Sequence, residues 1–491
     1  MIKEKIYNLI ASQFSLDLSE LNDSIGPGDL PAWDSLGQMQ LIVQFEKEFG
    51  INLSVDDVMS MNNIGDICQI LEKATSRSSS SHTPQVDSID QQEIASITSP
   101  EENRVSLDTG QTLPSSTRPI PTTVSHILPS ARLAFGSGSL DHLPKHVGQN
   151  VLLVLGSTEY SEVLKQRVVN LLSAKTVQVV FKPNGEPTLQ GIQNLTAQLT
   201  NRGIDTIVAI GGGSTIDIAK LVWLTLETEQ EIQDFITPFS CPVLNKIKFI
   251  AVPTTFGSGS ESSSSAVFRK DQENKKCIIV SHSLLPQYVI LDASLGETAP
   301  LAVLLQSGFD ALTHSIEGFV STIDNPFIDF QAEQSIRILI PALKSLLESK
   351  ESTKDTLNNL AFGSYLAGIV QNHCSVGLTH SISHALAGYG IPHGASNTIF
   401  LHPVMNFNSE TTNRYQSLAI KLGYADQVEF LKEIDKLVKL GGISIDGRIK
   451  QNVLSNISSI IPSVKADLTF KTNPRSPSDK DIHSIIASAL Q

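Results

Sequence analysis

Ile207-Val208-Ala209-Ile210-Gly211-Gly212-Gly213-Ser214-Thr215-Ile216-Asp217-Ile218-Ala219-Lys220 is the stretch that decides the fold. Its four leading apolar residues read as a buried strand, and Ile216 to Leu226 reads as a helix, with the glycines turning the chain between them. Glycines at a strand-to-helix turn let the backbone approach a pyrophosphate while the helix N-terminus faces its charge. Val252-Pro253-Thr254-Thr255-Phe256-Gly257-Ser258-Gly259-Ser260-Glu261 also follows a strand, and it offers hydroxyls and backbone amides suited to phosphate and ribose.

Outward from these two turns the pattern repeats. Val151–Leu155, Val177–Phe181, Thr206–Ile210, Phe249–Val252 and Val289–Leu291 read as short buried strands, most of them separated by helical stretches. That alternation predicts a mostly parallel sheet in a Rossmann-like α/β domain over 122–300. Beyond Pro300 strand signals stop, so 301–491 is predicted to be an all-helical domain, with the active site in the cleft between the two.

The helical part carries a cluster of metal-binding residue types. Asp310 and His314 stand four residues apart on one helical face, close enough to share an ion. The segment GLTHSISHALAGYGIPHG adds His380, His384 and His393, three histidines within fourteen residues. Carboxylate and imidazole donors without thiolate suit Fe(II) or Zn(II) at a catalytic site. Spacing alone does not separate His380 from His384 as the ligand. His373 and His402 are read as structural.

The N-terminal part is a different object. Ile2, Ile6, Leu9, Ile10 and Phe14 form the stripe of an amphipathic helix. Asp34-Ser35 opens a second helix in which Ile42, Phe45 and Phe49 share a face and Gly50 supplies the stop. Ser54-Val55-Asp56-Asp57 begins a short third helix, and Ile64 to Lys73 forms a fourth, which gives a small all-α four-helix bundle over 1–75. Ser35 thus lies where a loop meets a helix N-terminus, which exposes its hydroxyl and places any phosphate ester beside the positive end of the helix dipole. Residues 76–121, rich in Ser, Thr, Pro, Gln and Asp, read as a disordered linker whose r.m.s. span as a flexible coil of roughly 50 residues is about 40 Å.

Composition bounds the function. With 491 residues the chain has room for several domains, and its formal charge of −14 excludes a basic nucleic-acid footprint. Residues 1–75 hold four Lys and no Arg against twelve Asp plus Glu, so −8 of that charge lies on the small bundle, which will attract basic patches on partner enzymes. Cys68, Cys241, Cys277 and Cys374 have no C-x-x-C spacing, which argues against a disulfide framework and a thiolate zinc site. The N-terminus lacks the apolar stretch of a signal peptide, and no apolar run approaches the roughly 20 residues of a membrane span, so a cytoplasmic protein is expected.

Two resemblances follow from these motifs. PAWDSLGQMQLIVQFEKEFGINLSVDDV, with its serine motif, its Glu46 to Phe49 signature and its acidity, resembles acyl carrier proteins over residues 1–75. This implies 4′-phosphopantetheine on Ser35, with a phosphopantetheinyl transferase and an acyl-loading enzyme as partners. GGGSTIDIAK and PTTFGSGSE, together with GFDALTHSIEG, GLTHSISHALAG and IPHG, resemble the iron-containing, group III alcohol dehydrogenases from about residue 127 onward. That resemblance assigns Asp310, His314, His380 and His393 to the metal and His384 to a role beside nicotinamide and substrate. It assigns the pyrophosphate to Gly211, Gly212, Gly213 and Ser214, and places Asp217, Thr254, Thr255, Ser258 and Lys276 in the same cofactor site.

NAD-selective members carry an Asp after the first strand, where this chain has Gly156-Ser157. Without that carboxylate a 2′-phosphate meets no repulsion, and Ser157 or Thr158 can donate to it, so NADP(H) is expected to be accepted, with the choice between NADP and NAD left open. The expected activity is a metal-dependent NAD(P)(H) alcohol/aldehyde oxidoreductase. Its substrate is either tethered as a thioester to the carrier of the same chain or of a homodimer partner, or a free small alcohol or aldehyde. Dehydroquinate synthase, a lyase on a related fold, is the nearest rival, but its phosphate-bearing substrate needs several basic groups, and the DALTHSIEG and IPHG segments match the dehydrogenases.

Overall fold

The computed structural model describes residues 2–14, 16–26, 41, 44–45, 48–51, 61, 63–78, 131–157, 159–199, 203–235, 243–270 and 275–490. The chain divides into two units, Met1–Thr123 and Val124–Gln491.

In the first unit the expected stripe forms helix α1 (Ile2–Phe14), and the predicted fourth helix forms as α2 (Ile64–Ser78), running past the expected end at Lys73. Leu41, Gln44, Phe45, Glu48 and Phe49 are helical, and Gly50 ends that turn at φ +61°, a left-handed conformation that glycine adopts without strain. Ile6, Ile10, Leu41, Phe45, Ile64, Ile67 and Leu71 are buried together in a core of their own. Ser35, Ile42, Glu46, the proposed third helix at Ser54–Asp57 and residues 79–121 of the linker lie outside the described residues.

The second unit begins with a six-stranded, all-parallel sheet ordered β1-β8-β5-β4-β2-β3. All five expected strands are present: β2 (Asn150–Leu155), β3 (Thr176–Phe181), β4 (Thr206–Gly211), β5 (Lys248–Pro253) and β8 (Tyr288–Leu291). The structure adds an edge strand, β1 (Arg132–Phe135), and a separate antiparallel hairpin, β6 (Ser265–Lys270) with β7 (Lys275–Val280). Alternate residues serve opposite faces, as the strand period requires. Leu152, Val154, Ile207 and Ala209 enter one core, while Val151, Leu153, Leu155, Val208 and Ile210 enter the other. Helices α3 (Glu159–Leu171), α4 (Leu189–Leu199) and α5 (Gly213–Thr228) connect the first strands.

From Leu301 onward the described chain is helical. Helices α6 (Leu301–Val320), α7 (Pro326–Ser349) and α8 (Lys354–Cys374) pack on one another and share the first of those cores with the sheet. Then come α9 (Leu378–Leu386) and α10 (His393–Ser409), which contact each other, and α10 also lies against α6. Sheet and helices therefore share a common core, which fixes the glycine turns relative to the histidine helices. No described helix is long and apolar enough to cross a membrane.

Candidate active site

The topology marks a binding crevice. From β2 the chain passes to β3 on one side and then returns to β4 on the other, so the connections leave the carboxyl ends of β2 and β4 in opposite directions. Ligands of open α/β sheets bind at such a switch point. Gly156 directly follows β2, and Gly211 ends β4, so two of the sequence-predicted cofactor positions flank it. Gly212 is the N-cap of α5 and offers no side-chain cap, which leaves first-turn N–H groups, Ser214 among them, for an anion.

The second loop lies directly against this turn. Thr254 donates its N–H to the Gly211 carbonyl at 3.0 Å, and a Cβ on Gly212 would come within 3.0 Å of the Thr255 hydroxyl. A Cβ on Gly257 would meet the backbone of Ser307 at 2.6 Å, so glycine here lets the loop touch α6 one turn before Asp310. Ser258 is tied down through its carbonyl, which accepts from Gln371 at 2.6 Å. Beneath the loop, the buried Lys220 ammonium donates to the carbonyls of Ser260 and Ser263 at 2.7 Å and of Ser265 at 2.9 Å, and burial pushes its pKa down to about 8.

Two predicted cofactor residues are engaged with protein groups. The Asp217 carboxylate accepts from the Ser260 hydroxyl at 2.5 Å and the Val267 N–H at 3.3 Å, stitching the loop to α5. Lys276, on β7, pairs with Glu186 at 3.5 Å. Ser157 is exposed, while Thr158 lies outside the described residues.

The helical side supplies the charged centre. One oxygen of Asp310 lies 3.7 Å from His380 Nε2 and 3.6 Å from His393 Nε2, and these three ligand atoms all lie within 4.8 Å of one another. A carboxylate oxygen with convergent imidazole nitrogens is a donor set that fits Fe(II) or Zn(II). His314 is placed beside this triplet: its Nε2 is 3.9 Å from Asp310, and its ring stacks on His380 with centroids 4.6 Å apart. Burial and the mutual charges shift these groups in opposite directions. Burial acts against the ionised Asp310, yet His314, His393 and His380 together hold its carboxyl well below the usual range. Burial also acts against a charged His380, but the carboxylates of Asp310, nearby, and Glu317, hydrogen-bonded to Nδ1, raise it to about 9. His314, with burial prevailing, is pushed down to about 4.

His384 stands next to this group, its ring stacked on His393 with centroids 5.4 Å apart and its Nδ1 2.9 Å from Asp467. The structure thus separates the two histidines that spacing left equivalent, since it is His380 that converges with Asp310 and His393. His373 Nδ1 faces the Ile369 carbonyl at 2.8 Å, and His402 pairs with Asp435 at 3.2 Å.

Several residues here were not singled out in the sequence. Glu317, fully enclosed, is 2.7 Å from His380 Nδ1 and also accepts from the N–H groups of Gly377 at 2.9 Å and Thr379 at 2.7 Å. It lies seven residues after Asp310, two turns along the same helix face, and that periodicity was a usable signal. Asn397 follows His393 by four residues on α10 and is hydrogen-bonded among the ligand atoms. Asp467 reaches His384 across 83 residues, and no local pattern announces it.

Comparison with known proteins agrees with this geometry. Residues 129–293 match the family "iron-containing alcohol dehydrogenase", residues 304–490 match its C-terminal domain, and residues 4–71 match a phosphopantetheine attachment site. The chain is 29% identical over 358 residues to an NADPH-dependent butanol dehydrogenase of Clostridium saccharobutylicum, covering 70% of this chain and 92% of that one. It is 29% identical over 374 residues to an alcohol dehydrogenase of Thermococcus barophilus, covering 73% and 97%. The structure of the iron-containing alcohol dehydrogenase of Thermococcus thioreducens superposes with a TM-score of 0.68 at 27% identity, covering 74% of this chain and 99% of that one. From residue 129 onward the chain belongs to the iron-containing alcohol dehydrogenase family of NAD(P)-dependent oxidoreductases, and a phosphopantetheine-attachment domain precedes that part.

Proposed function

We propose that the chain is a metal-dependent NAD(P)(H) alcohol/aldehyde oxidoreductase whose substrate is carried as a thioester on its own N-terminal domain. The observation that carries the catalytic half is the convergence of Asp310, His380 and His393 on α6, α9 and α10, in contact with a glycine loop at the switch point of the sheet. Asp310, His380 and His393, with His314 adjoining, are the residues that would hold the metal, and Fe(II) or Zn(II) suits them. Bound there beside a nicotinamide, the ion would supply Lewis acidity to the alcohol or carbonyl oxygen while the nicotinamide exchanges hydride with its carbon.

The chain's own groups do the rest. Gly211, Gly212, Gly213 and Ser214 present amides to the pyrophosphate, and Thr254, Thr255 and Ser258 line the facing loop. Asp217 and Lys276 act from behind this surface, through the loop and hairpin that they hold. His384 donates Nδ1–H to Asp467, which leaves Nε2 to hold or pass the proton of the substrate oxygen. Gly156 leaves room for a 2′-phosphate, in keeping with the NADPH dependence named for the clostridial relative.

Ser35 is the proposed attachment point of 4′-phosphopantetheine, installed by a phosphopantetheinyl transferase and charged by an acyl-loading enzyme. The fusion favours delivery in place, because a tether holds the acyl unit at an effective concentration of about mM without affinity of its own. The test compares full-length protein loaded on Ser35 with residues 1–75, loaded alike, mixed with residues 122–491. Turnover of the tethered unit should be independent of dilution, and that of the split pair should fall in proportion to concentration. Equal rates would refute delivery by the tether.

A further inference from the structure

The point where Asp310, His380 and His393 converge is occupied by a fourth side chain. Asn397 Nδ2 lies 2.6 Å from Asp310 Oδ1, 3.0 Å from His380 Nε2 and 3.2 Å from His393 Nε2. Its amide oxygen, in turn, accepts from the Ser383 hydroxyl. The orientation of the amide is determined by chemistry: an ionised carboxylate oxygen only accepts, so the group facing Asp310 at 2.6 Å is the N–H-bearing nitrogen. Asn397 is itself completely buried. It donates to Asp310 and stands against both imidazole nitrogens, in the place where a cation would bond all three as a Lewis acid.

Zinc binds carboxylate oxygen and imidazole nitrogen at about 2.0–2.2 Å. An ion within that reach of all three atoms must lie in the space that the amide nitrogen fills, and an N–H-bearing nitrogen has no lone pair to offer it. We infer that Asn397 is a built-in competitor for the metal: its side chain braces the three ligands and must swing away when the ion enters. The inference rests on the metal site proposed above. It makes Asn397 a residue that sets how tightly the ion is held, apart from any part in turnover. The amide has two hydrogens and so gives up at most two good hydrogen bonds, and at the usual net worth of each, the expected penalty on affinity is roughly 5- to 30-fold.

The test is zinc affinity of chelator-stripped full-length protein, measured by competition with a chromophoric chelator, for wild type, His380→Ala, Asn397→Ala and Asn397→Ser. Wild type should bind one Zn(II) at this site, and His380→Ala should lose it. If wild type binds none there, the proposed metal site fails and this inference with it. Given wild-type binding, Asn397→Ala and Asn397→Ser should both bind about 5- to 30-fold more tightly. Unchanged or weaker binding would overturn the competitor role and point instead to an amide that supports the bound ion. Should neither variant fold, crystal structures of zinc-loaded and stripped wild type decide the matter. The loaded form should show Nδ2 withdrawn from Asp310, and an amide nitrogen still bonded to all three atoms beside a bound ion would refute the inference.

Discussion

Glu317→Gln tests how the protein aims a metal ligand. The carboxylate accepts three short bonds, from His380 Nδ1 at 2.7 Å, Thr379 N–H at 2.7 Å and Gly377 N–H at 2.9 Å. Those bonds hold its pKa below the usual carboxylate range in spite of burial. The first bond orients His380: with Nδ1–H toward Glu317, Nε2, the atom near Asp310 and His393, is the one that would present its lone pair to an ion. Glutamine keeps the volume, but one end of its amide is a donor facing donors. At least one buried N–H then goes unpaired at about 1–3 kcal/mol, and the charge that supports His380 is gone. Loss of such support lowers metal affinity by about 10- to 100-fold, equivalent to roughly 1.4–2.7 kcal/mol. Chelator competition with the stripped protein measures the affinity, and a thermal melt of the same sample reports the stability cost. A variant that melts lower but binds zinc within twofold of wild type would refute the aiming role and leave Glu317 as a purely structural acceptor.

His380→Ala and His393→Ala should lose bound metal and turnover together, whereas His384→Ala should keep most of its metal and lose roughly 100-fold or more in turnover, read by metal analysis and steady-state rates. Wild type should accept NADP(H) at least as well as NAD(H). Because a Cβ at Gly156 meets only ordinary contacts at 3.5 Å, Gly156→Asp should fold normally and weaken NADP(H) by roughly 10- to 100-fold through like-charge repulsion, seen as a change in the ratio of kcat/KM for the two cofactors. Incubation with a phosphopantetheinyl transferase and coenzyme A should add one phosphopantetheine to the intact mass, and Ser35→Ala should abolish the gain.

The features legible in the sequence were those written locally. Val151–Leu155 and Ile207–Ile210 are apolar throughout because both faces of a parallel strand are buried, and that run alone marks them as strands. Arg132–Phe135 escaped notice because it is only four residues long and half exposed at the sheet edge. The hairpin Ser265–Lys270 with Lys275–Val280 has short apolar runs of its own, but it packs on one side only, with Ile278 and Val280 exposed, and no helical stretch separates its strands to mark it as part of the alternating pattern. At the site, the i,i+4 spacing of Asp310 and His314 put both near the metal position, but could not show that His314 would stack on His380 beside the convergent triplet. Glu317 lies within the DALTHSIEG motif and Asn397 three residues beyond IPHG, and neither declares its role locally, because their partners stand 63 and 87 residues away. Asp467 was invisible for the same reason.

The central claim is that turnover depends on an ion held by Asp310, His380 and His393. Its most direct test strips the full-length protein of metal, then follows reduced nicotinamide by absorbance with a small aldehyde such as butanal, before and after stoichiometric Fe(II) or Zn(II) is added. Activity should disappear with the metal and return with about one ion per chain, and neither His380→Ala nor His393→Ala should be rescued. Undiminished turnover by protein shown to be free of metal would contradict the account.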